Sequence, residues 1–215
     1  CKNVIVEFTV NKVPVIEQNG NPVDTIRQEL NEDVTVNDCV EVTDANGDAL
    51  TLSTETITGD GGFSITEGAT NYCYAFDPST GTSTFSRFKA SFCDDGGLCE
   101  EVVFEFTINR IPVVEDTDIV NDTLRYTIVE DEVINKCITV DELNGDNIST
   151  SFSYLAGSGG FTNNSADGTC FTFDDGDNDE TFVRVQYQIC DDGSPSSLCK
   201  NVIVEFTVNK VPVIE

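Results

Sequence analysis

The side chains able to do chemistry in this sequence are almost all carboxylates gathered in short polar loops. They occur as DANGD at 44–48, DDGG at 94–97, DELNGD at 141–146, DDGDNDE at 174–180 and DDGSPSS at 191–197. Carboxylate and amide oxygens in loops, with neither imidazole nor paired thiolates among them, suit a hard cation, Ca²⁺ above all. No His is present, so Ser–His and Cys–His nucleophilic arrangements cannot be built. A paired-carboxylate hydrolase needs only acids, but these acids recur with the internal repeat and lie in hairpins, so a non-catalytic chain is expected. With 39 acidic and 11 basic residues the formal charge is −28. That balance disfavours nucleic acid and anionic membrane surfaces, both of which are met with Lys and Arg. No apolar run is long enough to span a bilayer, so no membrane insertion is expected in this segment.

The elements that must position these acids are announced by repetition. CKNVIVEFTVNKVPVIE stands at 1–17 and again, unchanged, at 199–215; CEEVVFEFTINRIPVVE at 99–115 matches it in 9 of 17 positions. Other landmarks keep step: CVEVTDANGD with CITVDELNGD, NYCYAF with GTCFTF, and SFCDDGGLC with QICDDGSPSSLC. The unit is therefore about a hundred residues long, and two unit types alternate. Residues 1–17 read as the last strand and linker of a preceding repeat, 18–115 as one unit and 116–215 as the next, so that each repeat has neighbouring repeats as partners.

Within a unit the apolar residues alternate with period two. Val202, Val204, Phe206 and Val208 share one face, as do Phe88, Ala90 and Phe92. Gly, Asn, Asp and Pro punctuate at short intervals, and no helical period is sustained. About seven short strands per hundred residues is the count of an immunoglobulin-like sandwich. The fold class expected is all-β, tandem immunoglobulin-like Greek-key β-sandwich domains. In the first unit, strands are expected near 23–29, 35–43, 49–57, 62–66, 70–76, 85–93 and 100–109, lettered A to G.

The cysteines are out of phase with the apolar faces, which argues against a bridge through the core. Nine Cys in an acidic β-rich chain point to an oxidising compartment, and no C-x2-C pair suggests zinc. Four cysteines per unit allow three pairings. Surface bridges within sheets fit best: Cys39–Cys73 and Cys93–Cys99, then Cys137–Cys170 and Cys190–Cys199. Cys1 is left for a residue of the preceding repeat.

In a sandwich of this kind, strand A begins at the end carrying the B–C and F–G loops, so the linker acid is expected beside both. This gathers Glu17, Asp44, Asn46, Asp48, Asp94 and Asp95 in one unit, and Glu115, Asp116, Glu142, Asn144, Asp146, Asp191 and Asp192 in the other. Two readings stand side by side: a Ca²⁺ site that stiffens the linker, and turns favoured by Asp, Asn and Gly for backbone reasons. DDGDNDE alternates Asp175, Asp177 and Asp179 but has Glu180 where a calcium loop needs Gly, and Gln186 at its twelfth position. It reads as a solvated turn.

CVEVTDANGDALTL, CYAFDP and FCDDGGLCEEVVFEFTI together resemble the tandem immunoglobulin-like, cadherin-like repeats of giant cell-surface adhesins of Bacteroidota, including gliding adhesins. Both units carry all three motifs, with Glu142 where the first unit has Asp44. The resemblance implies an extracellular, cell-surface stalk or filament without catalysis. It also implies O-glycosylation at Thr25 and Thr123, each in an Asp-Thr-aliphatic triplet. Lateral self-association and an unknown surface or glycan ligand are further partners it implies. The alternative is a ligand-binding or spacer module of a secreted multidomain enzyme.

Overall fold

The computed structural model describes residues 3–68, 71–163, 169–176 and 180–211, and divides the chain into two compact units, Cys1–Ile108 and Asn109–Glu215. The division falls a few residues before the repeat boundary read from the sequence, because residues 109–115 belong with the loops that follow them.

In the first unit the strands are β1 (Val15–Gln18), β2 (Asn21–Pro22), β3 (Thr25–Asn31), β4 (Val36–Thr43), β5 (Thr51–Thr58), β6 (Gly62–Glu67), β7 (Asn71–Asp77), β8 (Phe85–Cys93) and β9 (Cys99–Asn109). They form two sheets, β2-β1-β4-β7-β6 and β3-β9-β8-β5, so β4 to β9 follow the expected strands B to G. The first strand divides between the sheets. Its opening part, β1, pairs with β4, and the chain then turns through Asn19 and Gly20 (φ 53° and 75°) before β3 joins the other sheet beside β9. Asn-Gly with both residues left-handed is the chemistry of a tight two-residue hairpin.

The core lies between the sheets and is filled by the alternating faces. Val40, Tyr74, Phe76, Ala90, Phe92, Phe104 and Phe106 are buried, while Cys39, Cys73 and Cys93 stay off that face. Phe76 stacks on Phe106 with centroids 4.1 Å apart, and Phe173 stacks on Phe206 at 3.9 Å in the second unit. Each such ring contributes about 1.5–3 kcal/mol by leaving water.

The second unit comprises β10 (Val113–Val114), β11 (Thr123–Val129), β12 (Val133–Cys137), β13 (Val140–Asp141), β14 (Ser149–Ala156), β15 (Phe161–Asn163), β16 (Cys170–Asp174), β17 (Phe182–Cys190) and β18 (Cys199–Asn209). Its larger sheet runs β11-β18-β17-β14; β12-β16-β15 and β10-β13 lie opposite. Strand B is broken here into β12 and β13. The last strand, β18, pairs parallel with β11 and antiparallel with β17.

Four disulfides join directly opposed register partners: Cys39–Cys73 across β4 and β7, Cys93–Cys99 across β8 and β9, Cys137–Cys170 across β12 and β16, and Cys190–Cys199 across β17 and β18. Cys1 lies outside the described residues. Among the described residues no helix is long and apolar enough to cross a membrane.

Candidate metal centre

The β4–β5 loop of the first unit is shaped around Asp44. One of its carboxylate oxygens accepts the backbone N–H of Asn46 at 2.7 Å and that of Asp48 at 3.2 Å. Gly47 closes the turn onto the Asp44 carbonyl at φ +78°, a left-handed position that favours glycine. This leaves the second oxygen, Oδ2, buried and without a hydrogen-bond partner.

The β8–β9 hairpin does the same for Asp94, which is 5% exposed. Its backbone pairs with Leu98 and its Oδ1 accepts the Leu98 N–H at 2.8 Å. Asp44, Asp48 and Asp94 each place one carboxylate oxygen within 4.8 Å of the others. Desolvation, followed by the charges of Asp95, Asp44 and Asp94, raises the pKa of Asp48. Three carboxylates converging in a partly desolvated pocket repel one another unless a cation lies between them.

The second unit repeats the design with one substitution. Glu142 takes the place of Asp44, and its Oε2 accepts the Asp146 N–H at 2.6 Å, as Asp44 does from Asp48. Its other oxygen, Oε1, is buried and unpartnered. Asp191, 2% exposed, uses Oδ1 for the N–H groups of Gly193 and Leu198 at 3.0 and 2.8 Å, leaving Oδ2 buried and unpartnered. Desolvation, then Glu142, Asp191 and Asp192, raises the pKa of Asp146. An uncompensated buried carboxylate oxygen costs about 1–3 kcal/mol or more. The first unit therefore presents converging oxygen donors that fit a hard cation, and the residues that would hold it are Asp44, Asp48 and Asp94. Glu142, Asp146 and Asp191 are their counterparts in the second unit, where no equally tight convergence of three carboxylates is found among the described residues.

The remaining residues of the sequence-derived set take other positions. Asn46 clamps the incoming segment: its Oδ1 accepts the Lys12 N–H at 2.9 Å and its Nδ2 donates to the Val10 carbonyl at 3.0 Å. Asn144 likewise accepts the Arg110 N–H at 2.9 Å. Asp95 is exposed, and Asp192 accepts the Asn147 backbone and side-chain N–H groups at 2.8 and 2.9 Å. The structure does not bring Glu17 to the cluster. It lies in β1 opposite Glu41, three residues before Asp44 on β4, so it is about 10 Å along the strand. Glu115 is exposed beside Thr139. Asp116 is ion-paired to Lys136 at 3.0 Å. Burial raises the Asp116 pKa, but the Asp118 N–H and the Lys136 ammonium outweigh it and lower the value.

Asp175 is buried against Lys210 at the β16 end, and Gln186 lies in β17, donating to Asn201 at 3.1 Å. Asp177 and Asp179 lie outside the described residues. Thr25 opens β3 half-buried, whereas Thr123 is 6% exposed and its hydroxyl donates to the Asn121 carbonyl at 3.2 Å.

Two residue types in the site escape motif reading. Asn11 donates to Asp94 at 3.0 Å, and its counterpart Asn109, 1% exposed, donates to the Ser196 carbonyl at 2.9 Å and to Asp191 at 3.4 Å. The glycines that face them are the second type. A Cβ on Gly96 would lie 2.2 Å from Asn11 Nδ2, and one on Gly193 would lie 2.4 Å from Asn109 Oδ1. The glycines after Asp94-Asp95 and Asp191-Asp192 thus leave room for the incoming asparagine side chain, which would have to shift to admit a Cβ. The available signal was the Asn-Lys/Arg-Val/Ile-Pro-Val string, present in all three copies.

No protein-family model matches this sequence, and no curated protein does. Among solved structures, human protocadherin-24 EC1-2 is similar at 15% identity and TM-score 0.52, over 94% of this chain and 100% of that one. The titin I-band fragment I67-I69 is similar at 8% identity and TM-score 0.51, over 92% of this chain; this chain spans 66% of the fragment. An endo-fucoidan hydrolase of glycoside hydrolase family 107 matches at TM-score 0.39 with 29% of its length covered, too distant to carry any argument. At these identities the likeness establishes the fold: tandem β-sandwiches of the immunoglobulin and cadherin kind.

Proposed function

We propose that this chain is a non-catalytic segment of an extracellular stalk or filament of a bacterial cell-surface adhesin, in which Ca²⁺ bound at each acidic loop pair stiffens the entry to each unit. The carrying observation is the repeated dock. In both units an Asn of the first acidic loop, Asn46 or Asn144, accepts a backbone N–H of the incoming segment, and the acidic loops hold buried carboxylate oxygens without hydrogen-bond partners: Asp44 Oδ2 in the first unit, Glu142 Oε1 and Asp191 Oδ2 in the second. A cation there neutralises the repulsion that the cluster creates and ties two loops together. Two disulfides per unit hold the sheets outside the cell, where thiols oxidise. The charge of −28 keeps neighbouring stalks apart. Neighbouring repeats are the first partners; lateral association and a surface or glycan ligand are the others.

Imaging of native material tests this reading. A long beaded filament with a repeat of one domain is expected. An isolated two-domain particle beside a catalytic domain would overturn it in favour of a spacer.

A further inference from the structure

A lysine and a buried carboxylate meet in the second unit at the end of β18 opposite the Asp191 hairpin. Lys210 follows β18, a strand of the larger sheet, and Asp175 follows β16 in the sheet that faces it. The Lys210 Nζ lies 2.5 Å from Asp175 Oδ2, and the Asp175 side chain is 0% exposed. Its other oxygen, Oδ1, is buried and has no hydrogen-bond partner. Glu130, between β11 and β12, is the third member: its Oε1 is 3.6 Å from Nζ. The Glu130 N–H donates to the Asn209 carbonyl at 3.1 Å, and its Oε2 accepts the Val211 N–H at 3.0 Å, so Glu130 brackets Lys210 along the chain. The two unit types differ at both reacting positions together. Where the second has Asp175 and Lys210, the matching strings of the first have Pro78 and Arg110, which offer neither a carboxyl carbon nor an amine.

We propose that Lys210 and Asp175 react with each other to form an intramolecular amide, so that the second unit cross-links itself. A carbon–oxygen bond adds only about 1.2 Å to the 2.5 Å contact, so Nζ stands within about 3.7 Å of Cγ, close to the about 3–3.5 Å of an attack-ready pair. The hydrogen bond to Asp175 holds the Lys210 pKa above its usual value, against desolvation and with the charges of Asp175 and Glu130 adding to it. The ammonium must therefore pass a proton within the site before it can attack. Asp175 is the first acceptor: out of water and short of donors, the ion pair becomes a neutral amine and a neutral acid by one transfer. The amine lone pair then attacks Cγ and the N–C bond forms. Glu130 carries the surplus amine proton to the departing oxygen, the C–O bond breaks and one water leaves. Ammonium and carboxylate thereby become one amide and one water, and no oxidant, reductant or cofactor takes part. The reaction occurs once per chain, so no substrate is turned over.

The bond joins positions 35 apart in sequence and ties the end of β18 to the end of β16 in the opposite sheet. Cys190–Cys199 already fastens the start of β18 to β17, so the strand is held covalently at both ends. A pull on the chain beyond Lys210 then loads both sheets together instead of peeling β18 from β11 and β17. The inference stands on the second unit alone and is independent of cation binding.

The full chain, confirmed as folded by circular dichroism, is reduced, denatured and weighed intact by mass spectrometry, then digested and sequenced. The expected mass is one water below that of the sequence, with a branched peptide joining the segments that contain Asp175 and Lys210. Gly176 follows Asp175, and closure of Asp175 onto that backbone nitrogen would lose the same water. Lys210→Arg separates the two reactions, since it keeps the positive charge and removes the attacking amine. It should restore the full sequence mass, as should Asp175→Ala. Glu130→Gln should slow formation by about 10²–10⁴-fold, leaving chain that is largely linear when harvested. Full sequence mass in the folded wild-type chain would overturn the proposal. So would a water loss that survives Lys210→Arg, or a Glu130→Gln chain that cross-links at the wild-type rate.

Discussion

Gly193→Ala tests whether the glycine of the Asp-Asp-Gly motif exists to admit the incoming asparagine. Gly193 has no left-handed φ, so alanine meets no backbone penalty. The added Cβ, however, would lie 2.4 Å from Asn109 Oδ1 and 2.6 Å from both Cγ and Nδ2, all below contact distance. Asn109 is 1% exposed and must give up its 2.9 Å bond to the Ser196 carbonyl and its 3.4 Å bond to Asp191. Stranding those buried polar groups costs about 1–3 kcal/mol. That lowers the unfolding midpoint of the second unit by about 4–8 °C per kcal/mol. Asn109→Ala deletes all three atoms that the new methyl strikes. In that background Gly193→Ala should be nearly neutral, or stabilising by about 0.4–1 kcal/mol because alanine restricts the unfolded chain. A double-mutant cycle read by calorimetry should therefore give a coupling of about 1–3 kcal/mol. An equal cost of Gly193→Ala with and without the Asn109 side chain would refute the reasoning.

Further outcomes follow from the same geometry. Asp60 accepts the N–H groups of Thr82 and Ser83, which hold its pKa at about 2, below the ordinary 3.8. Its stabilisation is thus present above pH 3.8 and lost as pH falls toward 2, so Asp60→Asn should flatten the acid limb of the first unit's pH–stability curve. Opening Cys39–Cys73, whose partners are 34 positions apart in sequence, should cost about 4 kcal/mol, and opening Cys93–Cys99, 6 positions apart, about 2 kcal/mol. Paired Cys→Ser variants under urea should show that order. Asp48 has a pKa raised by desolvation and by Asp95, Asp44 and Asp94, so its contribution falls as pH rises above 3.8. Asp48→Asn should therefore raise the midpoint in chelator at neutral pH and remove most of the gain given by Ca²⁺.

The sandwich was legible because its strands alternate cleanly. Tyr72, Tyr74 and Phe76 set the phase of β7, and that phase put Cys73 on the outer face opposite Cys39. The position of Glu17 was not legible from the linker alone. Whether Val15–Gln18 ends as a linker or pairs with β4 depends on the Asn19-Gly20 turn, and that pairing carries Glu17 along β4, away from the loops. The loop acids could be gathered from the motifs, but their division of labour could not. Asn46 and Asn144 look like ligands in sequence, yet each spends its amide oxygen on the incoming backbone. Glu142 reproduces the Asp44 turn with a longer arm, a tolerance that the motif does not express. Thr123 fits an acceptor triplet by type, while burial of its hydroxyl beside Asn121 depends on the fold.

The central claim is that each unit binds a cation between its two acidic loops. Calorimetric titration of the chelator-stripped chain with Ca²⁺, paired with thermal unfolding, measures it directly. For an extracellular-type affinity of about 0.1 mM, about 5 mM Ca²⁺ should add about 2.3 kcal/mol to each unit. Asp94→Asn should abolish the gain in the first unit only, and Asp191→Asn in the second only. Absence of both heat and midpoint shift through about 5 mM Ca²⁺, where sites of this class saturate, would contradict the account, as would full retention of both in the doubly substituted chain.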